Sequence, residues 1–283
     1  MKKICAFLFI FLINSSVIAQ TTAILNFSPG GGLDISMRHF QKYMQQKHNI
    51  NINFLFKSGA EGLIGLNYLN EVNDPDNVMG FTTLAAIVVA EKRGLKFNYV
   101  SATRQYANVL ITNSTSEITS YLYLQESLRR GKSFTFGQGS PAHATQIKQL
   151  LGQIGPANTQ VIVNYRGAGD VVKDMIGNHI TLAILPFGVV QQVADNGSIR
   201  ILASTQRLSD DIPLLKITNT SGYGVVLSNR ASETATNKWI MYLSEYINDN
   251  ETQKTFKYEV SESYSPGPME MHILLDKIRP LIQ

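Results

Sequence analysis

The chain has 283 residues, 44% of them hydrophobic and 16% charged, and a formal charge of +4. That is enough length for one large or two medium domains and enough apolar material for a sizeable core. No basic tract runs through it, which excludes a nucleic-acid footprint, and the single cysteine, Cys5, excludes a disulfide framework or a cysteine metal site.

The first residues stand apart. Lys2 and Lys3 precede an apolar run from Ile4 to Ile13, too short to span a bilayer, and Val17-Ile18-Ala19 offers a cleavage site. Residues 1–19 therefore read as a secretory signal peptide cut after Ala19, which sends the protein to the periplasm. Its removal takes two of the 25 basic side chains and none of the 21 acidic ones, so the mature chain is close to neutral. No later segment has the length and apolarity of a membrane span.

Strand-like and helix-like runs then alternate. Residues 22–27 are short and apolar. From Leu33 the apolar positions Leu33, Met37, Phe40 and Met44 step at helical spacing. Residues 50–56 alternate as a strand does, and 58–70 form a glycine-marked turn opening a helix. "NDPDN" is a turn and "VMGFTTL" a strand. A second series begins near residue 108 with the strand "NVLIT", then a helix over 121–131, the strand "SFTF", the turn "GQGSP" and the helix "AHATQIKQLLG". Strand 161–165, the turn "RGAG", helix 170–178 and strand 180–186 complete it. A long helix over 233–250 carries Trp239 on its core face, and a last one runs from Met269 to Leu281.

Two βαβ series followed by returning helices predict an α/β protein of two lobes, each a mixed, mostly parallel sheet flanked by helices. Residues 20–107 with 226–283 form one lobe and 108–225 the other, with a ligand cleft between them. The chain crosses between lobes near 104–112 and again near 222–228.

Three glycine turns share one layout: strand, glycines, helix. They are "FSPGGGLD" (27–34), "FGQGSPAH" (136–143) and "YRGAGD" (165–170). A helix start leaves up to four amide N–H groups unpaired and carries about half a positive charge. Glycines before it let an anion approach those amides. Gly30, Gly31 and Gly32 leave such room. In the second turn Ser140 suits the N-cap and Pro141 the first helical position, with Gly137 and Gly139 freeing the loop. In the third, Asp170 stands at an N-cap position. Two such starts facing each other grip an organic anion without an arginine clamp. Asp34 reads as a loop brace, or as a contact for a ligand's amine. His143 reads as a capping or packing residue, and Arg166 as a ligand salt bridge or an exposed surface charge.

Catalytic patterns are absent: no G-x-S-x-G elbow, no P-loop, no H-E-x-x-H and no dinucleotide fingerprint. The histidines at 39, 48, 143, 179 and 272 lack ligand spacing. No cofactor or metal is called for.

The segments "NFSPGGGLDISMR", "KSGAEGLIGLNYL", "FGQGSPAHATQIKQLL" and "NYRGAGDVVKDMIGNHITLAILPFGVVQQVADNGSIRILASTQ" resemble, in order and spacing, the Bug family, the TctC-like receptors of tripartite tricarboxylate transporters. The resemblance covers nearly all of the mature chain. It implies a type II periplasmic-binding-protein (Venus-flytrap) fold and capture, without chemistry, of a small carboxylate: a di- or tricarboxylate, an acidic amino acid or an aromatic acid. It implies a monomeric receptor that delivers the ligand to a permease of one large and one small subunit. The family's ligand loops fall on Phe27, Ser28, Pro29, Gly30, Gly31, Gly32 and Asp34. They continue on Ser58, Gly59 and Ala60, then on Gly137, Gln138, Gly139, Ser140 and His143. Further contacts map to Tyr165, Arg166 and Gly167, and to Leu185, Pro186 and Phe187. Three side chains depart from the pattern: Leu33 where a small hydroxyl residue is usual, Glu61 where a glycine or small residue is, and Arg166 where lysine is common. A receptor that presents its ligand to a sensor instead of a permease, and an exported hydrolase using Ser140 and His143, are the alternatives.

Overall fold

A computed structural model describes residues 21–155 and 159–282. The expected signal peptide, residues 1–19, lies outside the described residues. No helix among them is long and apolar enough to cross a membrane.

The first half opens with β1 (Thr21–Leu25), α1 (Gly32–His48), β2 (Ile52–Phe56), a single 3-10 turn (Ala60–Gly62) and α2 (Leu63–Glu71). It continues with β3 (Val78–Thr83), α3 (Leu84–Lys92) and β4 (Phe97–Tyr106). After Ala107 come β5 (Asn108–Asn113), α4 (Tyr121–Arg129), β6 (Thr135–Gln138), α5 (Pro141–Ile154), β7 (Val161–Asn164), α6 (Ala168–Ile176), β8 (Leu182–Pro186), α7 (Phe187–Asp195) and β9 (Ile199–Ser204). The chain then returns through β10 (Tyr223–Ser228), α8 (Glu233–Asn248), α9 (Asn250–Tyr258), β11 (Ser261–Ser263) and α10 (Pro268–Ile278).

These strands build two sheets, ordered β11-β4-β10-β3-β1-β2 and β7-β6-β8-β5-β9. Each sheet is mixed, as expected, and forms one lobe with its helices. Pairing is parallel where βαβ units lie side by side, at β1–β2, β1–β3, β6–β7 and β6–β8. It is antiparallel where β10 and β5 intervene, because these strands enter their sheets directly after a crossing between lobes. Antiparallel pairing is therefore more frequent than the βαβ reading implies. Strand β10 lies whole in the first sheet, so a domain boundary between Val225 and Val226 cuts a strand. The return crossing falls before it: Leu215 packs in the second lobe's core, while Gly222 already accepts a hydrogen bond from Leu84 N (2.9 Å).

The predicted apolar stripe of α1 is the buried one: Leu33, Met37, Phe40 and Met44 are all at most 4% exposed. Phe40 meets Trp239 and Tyr246 of α8 edge to face, at 6.5 and 5.0 Å between ring centroids. In the second lobe, alternate residues of β5 face opposite cores, Leu110 toward α4 and α5, Val109 and Ile111 toward α6 and α7. Where the lobes join, Ala107 is bonded on both sides: its N–H donates to Val260 O (3.1 Å) and its carbonyl accepts from Phe187 N (2.8 Å). Beside it, buried Asn108 donates to Gln146 Oε1 (2.9 Å) and to Ser221 Oγ, tying β5, α5 and the return crossing together.

Candidate functional site

The helix starts gather where the two lobes meet. Gly31 is the N-cap of α1, in extended backbone, with no side chain capping the helix. Gly167 at α6 and Pro186 at α7 also lack a side-chain cap. By contrast Ser140 caps α5 by accepting from His143 N (3.3 Å), and Thr83 caps α3 by accepting from Ala86 N (3.1 Å). The first-turn amides of α1 and α6 thus remain open to another acceptor, as do those of α7 after Phe187, whose N–H is taken by Ala107 O. The turn of the third site differs from expectation. Asp170 is not the cap: α6 begins two residues earlier, at Ala168, and Asp170 sits in its first turn, 3.9 Å from Lys173.

The first and third turns touch across the lobes. Ser28 N donates to Arg166 O (3.0 Å). A Cβ on Gly167 would lie 2.5 Å from Ser28 Oγ, and one on Gly169 would lie 2.9 Å from Pro29 O. A Cβ on Gly139 would meet the Gly167 carbonyl carbon at 2.5 Å. These glycines let three backbone segments pass at van der Waals distance. The lobes are closed on each other in this arrangement.

Between the turns lies a small cavity of about 20 Å³, lined by Phe27, Gly31, Gly32, Leu33, Thr83, Tyr106, Gly139, Ser140, His143, Ala168, Pro186 and Tyr223. That is room for one water-sized group. Next to it opens a cavity of about 430 Å³, lined by Phe27, the 59–62 loop, Gln138, Gly139, Ser140, Asn164, Tyr165 and Arg166. Phe27, Gly139 and Ser140 line both. A larger groove of about 1030 Å³ lies elsewhere, on the first lobe between α3, α8 and α10, with none of these turns in its walls.

Of the residues singled out in the sequence, Phe27, Gly31, Gly32, Gly59, Ala60, Gln138, Gly139, Ser140, His143, Tyr165, Arg166 and Pro186 line one or other of the two cavities. The rest do not. Asp34 is 4% exposed and braces the loop: Oδ2 accepts from Gly30 N (2.9 Å) and Oδ1 pairs with Arg38 Nε (2.8 Å). Gly30, at φ +77, has open space around it, and Pro29 is exposed. Ser28 is buried under Gly167, and its hydroxyl has no hydrogen-bond partner. Ser58 stands outside both walls, and Leu185 is sealed in the second lobe's core. Phe187 packs against that core and bonds to Ala107. Gly137 and Gln138 belong to strand β6, not to a turn, and Gly137 is small because Ile180 and Val171 press on it: an added Cβ would lie within 2.8 Å of both.

Several lining residues carried no sequence signal. Tyr106 and Tyr223 come from strand ends, their rings tilted against each other with centroids 4.5 Å apart. Burial pushes the Tyr106 phenol up to about 12 and Tyr223 well above its ordinary range, so both are neutral hydroxyls at the cavity wall. Tyr223 Oη defines Gly32: a Cβ there would lie 2.0 Å from it. Behind them Arg104 pairs with Glu259 and donates to Ser36 Oγ, all buried.

His143 is buried, and burial lowers its imidazole to about 4. Its Nδ1 accepts from Gly139 N (3.3 Å), which leaves the ring proton on Nε2. Ser140 Oγ bonds the His143 amide, not the ring. The pair is therefore a cap and a brace. It lacks the hydroxyl-to-imidazole hydrogen bond of a nucleophile and its base.

No protein-family model and no curated protein matches the sequence. Solved structures do match. The periplasmic binding protein BugD superposes with a TM-score of 0.84 at 14% identity, over 92% of this chain and 94% of that one. The chain has the fold of a periplasmic binding protein. An R. palustris protein solved with adipate matches at TM-score 0.81 and 15% identity, over 92% and 94% of the two chains. MatC from Rhodopseudomonas palustris, with bound malate, matches at 0.77 and 11%, over 93% and 99%. The first of these neighbours is a periplasmic binding protein, and the other two carry dicarboxylates.

Proposed function

We propose that this chain is a periplasmic solute receptor of the Bug/TctC type that captures a small organic carboxylate between its lobes. One observation carries the reading. The uncapped starts of α1, α6 and α7, drawn from both lobes, meet at one cavity whose walls hold glycine and alanine backbone where bulky side chains would block approach. A carboxylate oxygen fits there as an acceptor for amides that have no intrahelical partner. The body of the ligand then occupies the adjoining cavity of about 430 Å³. The adipate- and malate-bound neighbours support the same class.

In this reading residues 1–19 are a signal peptide removed after Ala19. The first lobe takes residues 20–107 and the segment from β10 onward, and the rest forms the second. The receptor works as a monomer and hands its ligand to a tripartite tricarboxylate-type permease, without catalysis. The Ser140–His143 geometry disfavours the hydrolase alternative.

A thermal-shift screen against di- and tricarboxylates, acidic amino acids and aromatic acids tests this. A true ligand at one hundred times its dissociation constant adds about 2.7 kcal/mol of stability. If no acid in such a panel moves the melting temperature, the proposal fails.

A further inference from the structure

The 59–62 loop is unusual. Ala60 and Glu61 have φ of +47 and +57, between Gly59 at +130 and Gly62 at +97. Four consecutive residues thus hold positive φ, and two of them carry a Cβ, in a region that costs an L-residue about 1–2 kcal/mol each. At both glycines an added Cβ would collide, with Ile64 at 2.7 Å and with Asn26 Nδ2 at 2.3 Å, so the loop's path is fixed by its neighbours. Such outliers gather where a side chain must be held for use.

What this loop holds is Glu61, an exposed carboxylate in the wall of the 430 Å³ cavity. The other lobe supplies Arg166 to the same cavity. Among the described residues, neither side chain has a hydrogen bond or ion pair. The acid end of a ligand already has its donors, the free amides of the helix starts. A second acid there gains nothing from Glu61 and is repelled by it. A positively charged group gains a charge-assisted hydrogen bond.

We infer that Glu61 selects the ligand: it receives an ammonium group, so that this receptor prefers carboxylates bearing an amine over the same acids without one. The inference rests on the receptor reading above. Discrimination then comes from attraction to the ammonium and rejection of its absence at one residue, with Arg166 across the mouth holding any second acidic end.

Calorimetric titration with matched pairs tests it. Aspartate against succinate, and glutamate against glutarate, differ only by the ammonium group. The unaltered protein binds the amino member of a pair about tenfold more tightly. Glu61→Gln brings the two members together. Glu61→Gly does the same and melts no lower than the unaltered protein, because glycine accepts the positive φ. Equal affinity for both members in the unaltered protein overturns the inference. So does a preference that survives in both variants. If acids bind without preference, Glu61 is not the selector and the receptor reading stands; if no acid of any kind binds, the receptor reading falls with it.

Discussion

His143 illustrates how one side chain serves a site without entering the chemistry. Burial disfavours its charged form, and the amide that faces its Nδ1, Gly139 N–H, requires a neutral ring nitrogen as acceptor. Its folded pKa, about 4, lies below the ordinary value of 6.5. Above pH 6.5 both folded and unfolded chains carry a neutral ring and nothing changes. Between 6.5 and 4 the unfolded chain takes up a proton that the folded chain refuses, so stability falls as pH falls. Over the step from pH 7.5 to pH 5 this one group costs about 2 kcal/mol. Urea unfolding at the two pH values checks it: His143→Gln loses that much less stability over the same interval than the unaltered protein does. Half-buried His39, whose pKa desolvation also lowers, contributes in the same direction and remains in both proteins, so the comparison isolates His143.

At the level of elements, the start of α1 is defined by what it excludes. Gly32 sits under Tyr223 Oη, from a strand almost two hundred residues later in the chain. Gly32→Ala forces that hydroxyl away and costs about 1–3 kcal/mol as an overpacked site. Removing the hydroxyl with Tyr223→Phe relieves the clash, so the double variant unfolds at higher urea than Gly32→Ala alone. If the two costs simply add, the contact is not the cause. This pair also explains what the sequence could reveal. The helix starts were legible because their signals are local: a glycine triplet before the Leu33–Met44 stripe, Ser140-Pro141 before α5, Gly167 before α6. The partners that complete the site were not. Thr83, Tyr106 and Tyr223 stand at strand ends and reach the cavity only because β3, β4 and β10 are neighbours in one sheet, an order set by long-range pairing. The two-residue offset of β6 has a similar origin: Gly137 reads as a turn residue, yet it pairs with Val163 and Ala183 in the ladder. Asp170 suits a cap by residue type, but the close passage of Gly167 against Ser28 and Gly139 fixes the helix start earlier.

For the whole molecule, the contact between the first and third turns limits access to the helix starts. With Ser28 N bonded to Arg166 O and about 20 Å³ between the helix starts, an acid cannot reach the amides unless the lobes part. The proposed receptor role therefore requires an open form in exchange with this one, in which a ligand that bridges both lobes shifts the population toward closure. Small-angle scattering reads this directly: the radius of gyration falls when a binding acid is added to saturation. An unchanged value in the presence of a ligand proven by calorimetry would count against a hinge. The twofold anchoring of Ala107, to Val260 on one side and Phe187 on the other, decides where such motion is felt. A residue moored to both halves behaves as the pin of a door. Torsion close to it displaces little, while the rim formed by Glu61 and Arg166, one from each lobe, opens as the lobes part. A fluorophore pair for following the swing thus belongs on that rim, and because Cys5 is the chain's sole thiol and precedes the described residues, cysteines introduced there can be labelled without competition from the folded body.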